Sequence, residues 1–264
     1  MCKTSFLIYT LLFLSATSCS GQLQNPDASK PNDATNNRVG GRCDGCESMF
    51  INMPGNINSI DTSKGWNEKG QKLIITGKVF HIDGKTPASG ILIYYYQTDQ
   101  TGTYVPEPGV DRRVNMHGRL RGWIKSDKEG NYCIYTTRPA PYPGRTTPAH
   151  LHVLIKEPNI KNEYYLDDWV FDDDPILTSQ MRRSMENRGG SGILRIVLDD
   201  SVQIVEHNIV LGRNIPNYPK VKKDTVQSGL EIGEDNPSFM PIMHGDRTKE
   251  HESVLFVCMA GTME

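Results

Sequence analysis

Between residues 73 and 211 the chain is divided into short runs of β-branched and aromatic residues that end at turn residues. Such runs predict strands, and they read LIITGKVF, ILIYYYQT, GWIKS, NYCIYTT, AHLHVLIK, GILRIVL and VQIVEHNIVL. The pair Asp199 and Asp200 between the last two runs predicts a hairpin turn. Only 175–187, PILTSQMRRSMEN, is predicted to be helical. Many short strands with little helix predict an all-β fold, a sandwich or a barrel.

Length and charge limit the domain count and the class of partner. The chain has 264 residues, of which 37% are hydrophobic, which is enough for one core of about 150 to 200 residues but not for two large domains. Its 29 basic and 31 acidic residues nearly cancel. Nucleic acid is therefore not an expected partner.

The first residues predict export. Lys3 precedes an apolar run of about nine residues, 6–14, and small residues then lead to Cys19. This layout is typical of a secretory signal peptide, and the run is shorter than the roughly twenty residues of a membrane-spanning helix. Small residues before a cysteine resemble a bacterial lipobox, so Cys19 is predicted to be lipidated and to anchor the protein to a membrane. Ala16, where a lipobox usually has leucine, leaves ordinary cleavage and secretion as the alternative.

Composition divides the remaining chain into a tether, a domain and a tail. Residues 20–42 are polar and rich in Asn, Asp, Pro and Gly, so they cannot bury enough apolar surface to fold and are predicted to be a disordered tether after a signal peptide at 1–19. The folded domain is predicted at 43–215, with its core at 72–215. Residues 216–264 do not repeat the strand pattern and are predicted to be a C-terminal tail.

The predicted export bears on the oxidation state of the cysteine pair in GRCDGCE. Cys43 and Cys46 could form half a zinc site, a redox pair or a disulfide. An all-cysteine zinc site needs a second such pair, which the chain lacks, and an exported protein meets oxidising conditions. A structural disulfide is the favoured interpretation. Cys133, inside a predicted strand, is expected in the core.

The histidine pair in PAHLHVLIK is the strongest local indication of chemistry. His150 and His152 are two residues apart at the start of an apolar strand, so both imidazoles lie on one face, while Leu151 and Val153 point to the opposite face. Two histidines placed in this way can supply neighbouring ligands to one metal ion. The pattern alone leaves exposed or core histidines as alternatives.

The sequence around these histidines resembles the intradiol ring-cleavage dioxygenases. The family has a tyrosine in a P-Y-P turn followed by P-A-H-x-H, and here Tyr142 lies in PYP while His150 and His152 lie in PAHLH. The family's first tyrosine ligand follows a strand through a Gly-containing turn, where Tyr104 lies in ILIYYYQTDQTGTY. The segment LRGWIKSDKEGNYCIYTTRPAPYP also resembles the family pattern. The resemblance covers about residues 72–215.

This resemblance implies a fold, a metal and a reaction. The fold would be a prealbumin-like β-sandwich with long loops and little helix. The metal would be Fe(III), held by Tyr104, Tyr142, His150 and His152. The substrates would be a catechol and O2, the product a muconate-type diacid, and Tyr142 would be displaced by the catechol and take up a proton. Family members commonly assemble, so a homo-oligomer is also expected.

One departure from the family pattern concerns an arginine. The best-known members have arginine in R-P-A-H, where this chain has Thr147. That arginine is thought to stabilise negative charge on the substrate ring. Arg145 is the nearest guanidinium on the short loop after Tyr142, so we expect it to take this role, with Arg138 as the reserve candidate. The alternative is an exposed turn arginine.

Two other functions fit parts of the sequence. Gly144, His150, His152 and Glu157 satisfy the opening of the cupin motif, but Tyr164 replaces its closing glycine and its second element is absent. The strand pattern also resembles prealbumin-like binding modules of exported proteins, in which the tyrosines and histidines would be incidental.

Several other residues are expected to have ordinary roles. The acidic run 172–174 lacks the spacing of a calcium loop and is expected to be solvated. His81, His117 and His207 are expected at surface or core positions. The tyrosines at 94–96 are expected to be partly core, lining one side of a pocket at most.

Overall fold

The computed structural model describes residues 37–220, which form a β-sandwich. Its strands are β1 (Ile60–Thr62), β2 (Lys72–Phe80), β3 (Leu92–Gln97), β4 (Arg121–Lys125), β5 (Asn131–Thr137), β6 (His150–Lys156), β7 (Tyr164–Tyr165), β8 (Trp169–Phe171), β9 (Ile193–Leu194), β10 (Val197–Asp199), β11 (Val202–Glu206) and β12 (Ile209–Val210). The same range contains one α-helix, α1 (Ser179–Ser184), and three 3-10 helices (Cys46–Phe50, Lys64–Asn67 and Arg112–Val114). None of its helices is long and apolar enough to cross a membrane.

The strands form two sheets of six. The first has the order β1-β5-β2-β11-β10, and β12 pairs with the far end of β2. The second has the order β4-β3-β6-β8-β9, and β7 pairs with β6. This arrangement confirms the all-β fold with little helix.

The core lies between the inner faces of the two sheets. Because side chains alternate along a strand, Ile93 and Tyr95 of β3 and Leu151 and Val153 of β6 enter this core, and all four are fully buried. The alternation predicted for β6 is confirmed. Cys133, on β5, is buried as expected.

A second buried cluster covers the outer face of the second sheet. There Tyr94, Tyr96 and Leu154 pack against Cys46 and Met49 of the first 3-10 helix. The segment before β1 is therefore a cover on the face of β6 that carries the two histidines. The predicted disulfide between Cys43 and Cys46 is confirmed and closes the turn that begins this cover.

Two elements differ from the sequence prediction. The helix predicted at 175–187 is wrong in extent, because α1 covers only Ser179–Ser184. Asp174 accepts a hydrogen bond from the Ile176 N–H, a side-chain bond that competes with the helix before residue 178. Thr178 accepts one from the Met181 N–H and so caps the helix, which begins at Ser179. The run GILRIVL is divided because β9 belongs to the second sheet and β10 to the first. The hairpin at Asp199 and Asp200 is confirmed by the β10–β11 pairing.

The predicted boundaries are only partly within the described residues. Gly40, inside the predicted tether, donates its N–H to the Pro216 carbonyl, and Arg38 forms an ion pair with Glu163. Tyr218, beyond the predicted end of the domain, donates to Glu157. The predicted signal peptide, Cys19 and the rest of the tail lie outside the described residues.

Candidate metal centre

His150 and His152 lie side by side on the outer face of β6. Their Nε2 atoms are 3.2 Å apart, which confirms that the spacing of two places both rings on one face. Sheet register sets Tyr96 of β3 opposite His152, and its ring stacks on the His152 ring at 4.5 Å. His150 is buried and His152 is partly exposed.

Tyr104 and Tyr142 reach the same point from two loops. Their hydroxyl oxygens are 2.8 Å apart. The loops meet at Gly102, which is buried with φ of 75°, and a Cβ placed there would lie 2.1 Å from the Pro141 carbonyl oxygen. Glycine is required at this close approach, because any side chain would separate the loops that carry the tyrosines.

The four donor atoms converge as ligands of one ion would. The Tyr142 hydroxyl is 3.2 Å from His150 Nε2 and 3.4 Å from His152 Nε2. Ligand atoms about 2.1 Å from one ion, at right angles to each other, are about 3 Å apart. The residues present therefore fit a single metal ion bound by two phenolic oxygens and two imidazole nitrogens.

The outer ring nitrogens fix the tautomers. His150 Nδ1 is 2.7 Å from the Pro148 carbonyl and His152 Nδ1 is 2.7 Å from Asp168 Oδ1. Both partners are acceptors, so each Nδ1 carries the proton and each Nε2 presents a lone pair. Two lone pairs 3.2 Å apart repel each other, and the single Tyr142 proton can satisfy only one. A cation between them removes this conflict.

Burial sets the ionisation of the cluster. It raises the pKa of Tyr104, as does the hydrogen bond with Tyr142, and burial also raises the pKa of Tyr142. Burial, with the neighbouring His152, lowers the pKa of His150. The protein without a cation therefore holds neutral phenols and a neutral imidazole. Coordination to a highly charged ion reverses this preference for the phenols, which bind as phenolates.

A cavity of about 320 Å³ opens beside these donors. Its lining includes Tyr104, Tyr142, His152, Tyr96 and His117. The turn closed by the disulfide contributes Asp44 and Gly45, and the 3-10 helix that follows contributes Ser48. A second cavity of about 350 Å³ is lined by His150, Asp168 and apolar residues of the α1 region. The tyrosines line only the first of these two.

His117 is a polar group held at the wall of the first cavity. Its ring is 3.9 Å from the Tyr96 ring and nearly parallel to it, and its Nδ1 is 2.8 Å from the Tyr94 hydroxyl. Burial raises the pKa of Tyr94 to about 12, so its hydroxyl keeps its proton and can donate it to Nδ1. Burial lowers the pKa of His117 to about 4. The ring is thus neutral near pH 7, with its remaining proton on Nε2.

Comparison with known proteins identifies the family. The family model described as Dioxygenase matches residues 50–211. The chain belongs to the intradiol dioxygenase family. Chlorocatechol 1,2-dioxygenase from Pseudomonas sp. (strain P51) is 30% identical over 122 residues, which span 38% of this chain and 47% of that enzyme. The aligned stretch is therefore about half the length of this curated relative.

The chain is also similar to solved structures of dioxygenases. The dioxygenase domain of a carbohydrate-binding fusion from Streptomyces sp. SirexAA-E is 21% identical, with a TM-score of 0.44 over 62% of this chain and 97% of that chain. Catechol 1,2-dioxygenase from Acinetobacter sp. ADP1 is 18% identical, with a TM-score of 0.46 over 64% of this chain and 63% of that chain.

Arg145 and Arg138, the two arginines expected near the substrate, lie in different surroundings. Arg145 lies exposed on the turn after Tyr142, with its N–H donated to the Tyr142 carbonyl. Arg138 is bound to Asp173 and lies over the Phe171 ring, 4.3 Å from its centre. Arg113, which the sequence did not indicate, lines the first cavity.

The cupin alternative does not fit the placement of its carboxylate. Glu157 follows the end of β6 distant from the histidines and accepts hydrogen bonds from Tyr164 and Tyr218. In the described residues the carboxylate beside the histidines is Asp168. Its oxygen faces Nδ1 of His152, whereas the two Nε2 atoms face each other.

Besides Arg113, three functional candidates escaped the sequence analysis. His117 and Asp168 contact the centre or its cavity, and Asp174 accepts the Ala149 N–H at 2.8 Å, just before His150. Asp174 is buried, so the expectation that the whole run 172–174 is solvated was wrong. The reason is its position beneath the start of β6. Asp168 meets His152 through the pairing of β8 with β6, which residue spacing does not indicate.

Proposed function

We propose that this protein is an Fe(III)-dependent intradiol dioxygenase that opens a catechol-type ring with O2 and forms a muconate-type diacid. The observation that carries the proposal is the convergence of Tyr104, Tyr142, His150 and His152 beside a cavity. Two phenolates suit a hard ferric ion better than softer metals. When bound, the ion would supply the Lewis-acid centre at which the catechol oxygens bind and the ring becomes reactive towards O2.

The overall reaction balances without an external reductant. The bond between the two hydroxyl-bearing carbons breaks, and each of these carbons receives one oxygen atom of O2 to become a carboxylate. Tyr142 would be the metal ligand that gives way to the catechol, and it would accept a catechol proton at its hydroxyl oxygen. The support for Tyr142 over Tyr104 in this role is the resemblance of its P-Y-P turn to that of the family.

The first cavity is the proposed substrate site. It is the one lined by both tyrosines, and about 320 Å³ accommodates a single aromatic ring with small substituents. Tyr96 offers an aromatic wall, and His117 offers an Nε2 proton to a substrate oxygen. Both groups would orient the ring towards the donors.

Arg145 is proposed to stabilise negative charge that develops on the ring, because it lies three residues after Tyr142 and a guanidinium has a long reach. Arg113 is the competing candidate, since it already lines the cavity. Its guanidinium is held by Asp111. Substitution of each arginine separates the two assignments.

Metal analysis tests the proposed function. Protein purified without chelators should contain iron, and its visible absorption band should shift when a catechol is added. His150→Ala or His152→Ala should lose most of the iron, whereas the exposed His81→Ala should keep it. Full iron content in either of the first two variants would contradict the ligand assignment, and a colourless, iron-free parent protein would contradict the function.

We also propose that the enzyme acts outside the cytosol, carried on a lipid at Cys19. The support is the sequence alone, in which small residues precede Cys19 and a polar segment follows it. Cys19→Ser should move the protein from the membrane fraction to the soluble fraction. An unchanged membrane fraction would exclude lipidation at this residue.

A further inference from the structure

The two histidines of the centre differ in the group behind them. His150 Nδ1 donates to a neutral acceptor, the Pro148 carbonyl, at 2.7 Å. His152 Nδ1 donates at the same distance to a carboxylate, Asp168 Oδ1. The centre is therefore asymmetric in charge, although its two imidazoles lie on the same strand face.

Asp168 is a partner of His152 and not a ligand in its own right. His150, His152 and Asp168 lie close enough to suggest a three-ligand metal site. However, the carboxylate faces the Nδ1 side of His152, while the Nε2 atoms and the tyrosine hydroxyls meet on the opposite side of that ring. An ion between the Nε2 atoms would thus be separated from Asp168 by the imidazole.

Sheet register holds Asp168 in this place. The next residue, Trp169, is fully buried and pairs with Leu151, the residue between the two histidines. Leu166, two residues before Asp168, donates its N–H to the Val153 carbonyl. The carboxylate therefore stands on a short connection that is fixed to β6 at both ends, although its own side chain is 47% exposed.

We propose that Asp168 is a positioning residue that makes His152 the stronger of the two imidazole donors and so favours the ferric state. A carboxylate behind a metal-bound histidine fixes the tautomer, orients the ring and increases its donor strength. Because iron(III) carries more charge than iron(II), an added negative charge stabilises the ferric form more. The inference rests on the proposed iron function and adds to it the residue that sets the redox preference of the centre.

The test separates the effect of the Asp168 charge from the effect of its hydrogen bond to His152. Asp168→Asn keeps an oxygen that can accept the Nδ1 proton but removes the charge, Asp168→Ala removes both, and Asp168→Glu restores the charge. Asp173→Asn is the matched control, because Asp173 is an exposed aspartate bound to Arg138. The measurements are iron affinity by chelator competition, the Fe(III)/Fe(II) midpoint potential and the visible band.

We expect Asp168→Asn to bind ferric iron about 10- to 100-fold more weakly and to have a higher midpoint potential than the parent protein. Asp168→Ala should lose more, Asp168→Glu should recover part of the loss, and Asp173→Asn should match the parent. A purely structural role would leave the potential of Asp168→Asn unchanged, and that result would overturn the inference while leaving the iron function intact. A parent protein that binds no iron would overturn the proposed function and the inference together.

Discussion

The close approach at Gly102 offers a test of how the two tyrosine loops are held together. Gly102→Ala would place a methyl carbon 2.1 Å from the Pro141 carbonyl oxygen, whereas a relaxed carbon–oxygen contact is about 3.3 Å. The loops must therefore separate by about 1.2 Å. The 2.8 Å contact between the Tyr104 and Tyr142 hydroxyls would then lengthen to roughly 4 Å, beyond the roughly 0.5 Å that a preorganised site tolerates.

Gly144 provides the matched control for this substitution. It also has a positive φ, 66°, but no atom lies within 4 Å of the position of its added Cβ. An alanine at positive φ costs about 1 kcal/mol of folding free energy at either position. At Gly102 the overpacking adds about 1 to 3 kcal/mol, so that variant should lose about 2 to 4 kcal/mol.

Urea unfolding and iron analysis measure both effects. Gly102→Ala should be the less stable variant and should lose iron and visible absorbance, while Gly144→Ala should keep its iron. Equal free energies of unfolding with equal iron content would refute the reasoning. In that case the contact between the loops would not determine the position of the tyrosines.

Three further predictions concern rate, pH and redox state. Arg145→Ala should keep iron and colour but open the ring about a hundredfold more slowly, which is the effect of losing one preorganised charge. Arg113→Ala should mainly raise KM. The opposite pattern in the two variants would transfer the charge-stabilising role to Arg113. Burial lowers the pKa of His207 to about 4, below the value of about 6.5 in an unfolded chain, so the unfolded state binds the proton first. The buried His207 should therefore contribute about 2 kcal/mol to the fall in the free energy of unfolding from pH 7.5 to pH 5, and the buried His117 adds to it in the same direction. In urea titrations the fall should be about 2 kcal/mol smaller for His207→Phe than for the parent protein, and an equal fall in both would refute the assignment. Reducing the Cys43–Cys46 disulfide should raise KM for catechol several-fold without iron loss, because the turn that it closes lines the cavity. Unchanged kinetics after complete reduction would show that the turn keeps its shape without the bond.

Local patterns were enough to predict the strand frame and the paired histidines. The alternation around Leu151 and Val153 depends only on the geometry of one strand, so the common face of His150 and His152 followed from their spacing and was confirmed. Likewise, the three-residue spacing of Cys43 and Cys46 makes a local disulfide geometrically natural, and the structure contains it.

Resemblance to a family extended these predictions to the tyrosines. Tyr104 and Tyr142 lie on separate loops, 38 residues apart, and no periodicity relates them to each other or to β6. Their identification depended on motifs such as PYP. Their convergence with the histidines is visible only in three dimensions, where Gly102 lets the two loops touch.

Tertiary structure determines which residues contact the proposed metal ligands and the cavity beside them. Asp168 meets His152 because β8 pairs with β6 in one register, and His117 meets Tyr96 because a loop folds over the outer face of the second sheet. Strand register and loop packing depend on contacts between distant parts of the chain, which residue spacing does not encode. The sequence by itself therefore determined the fold class and the candidate ligands. Only the folded chain determined which group accepts the hydrogen bond of each histidine and which side chains line the cavity.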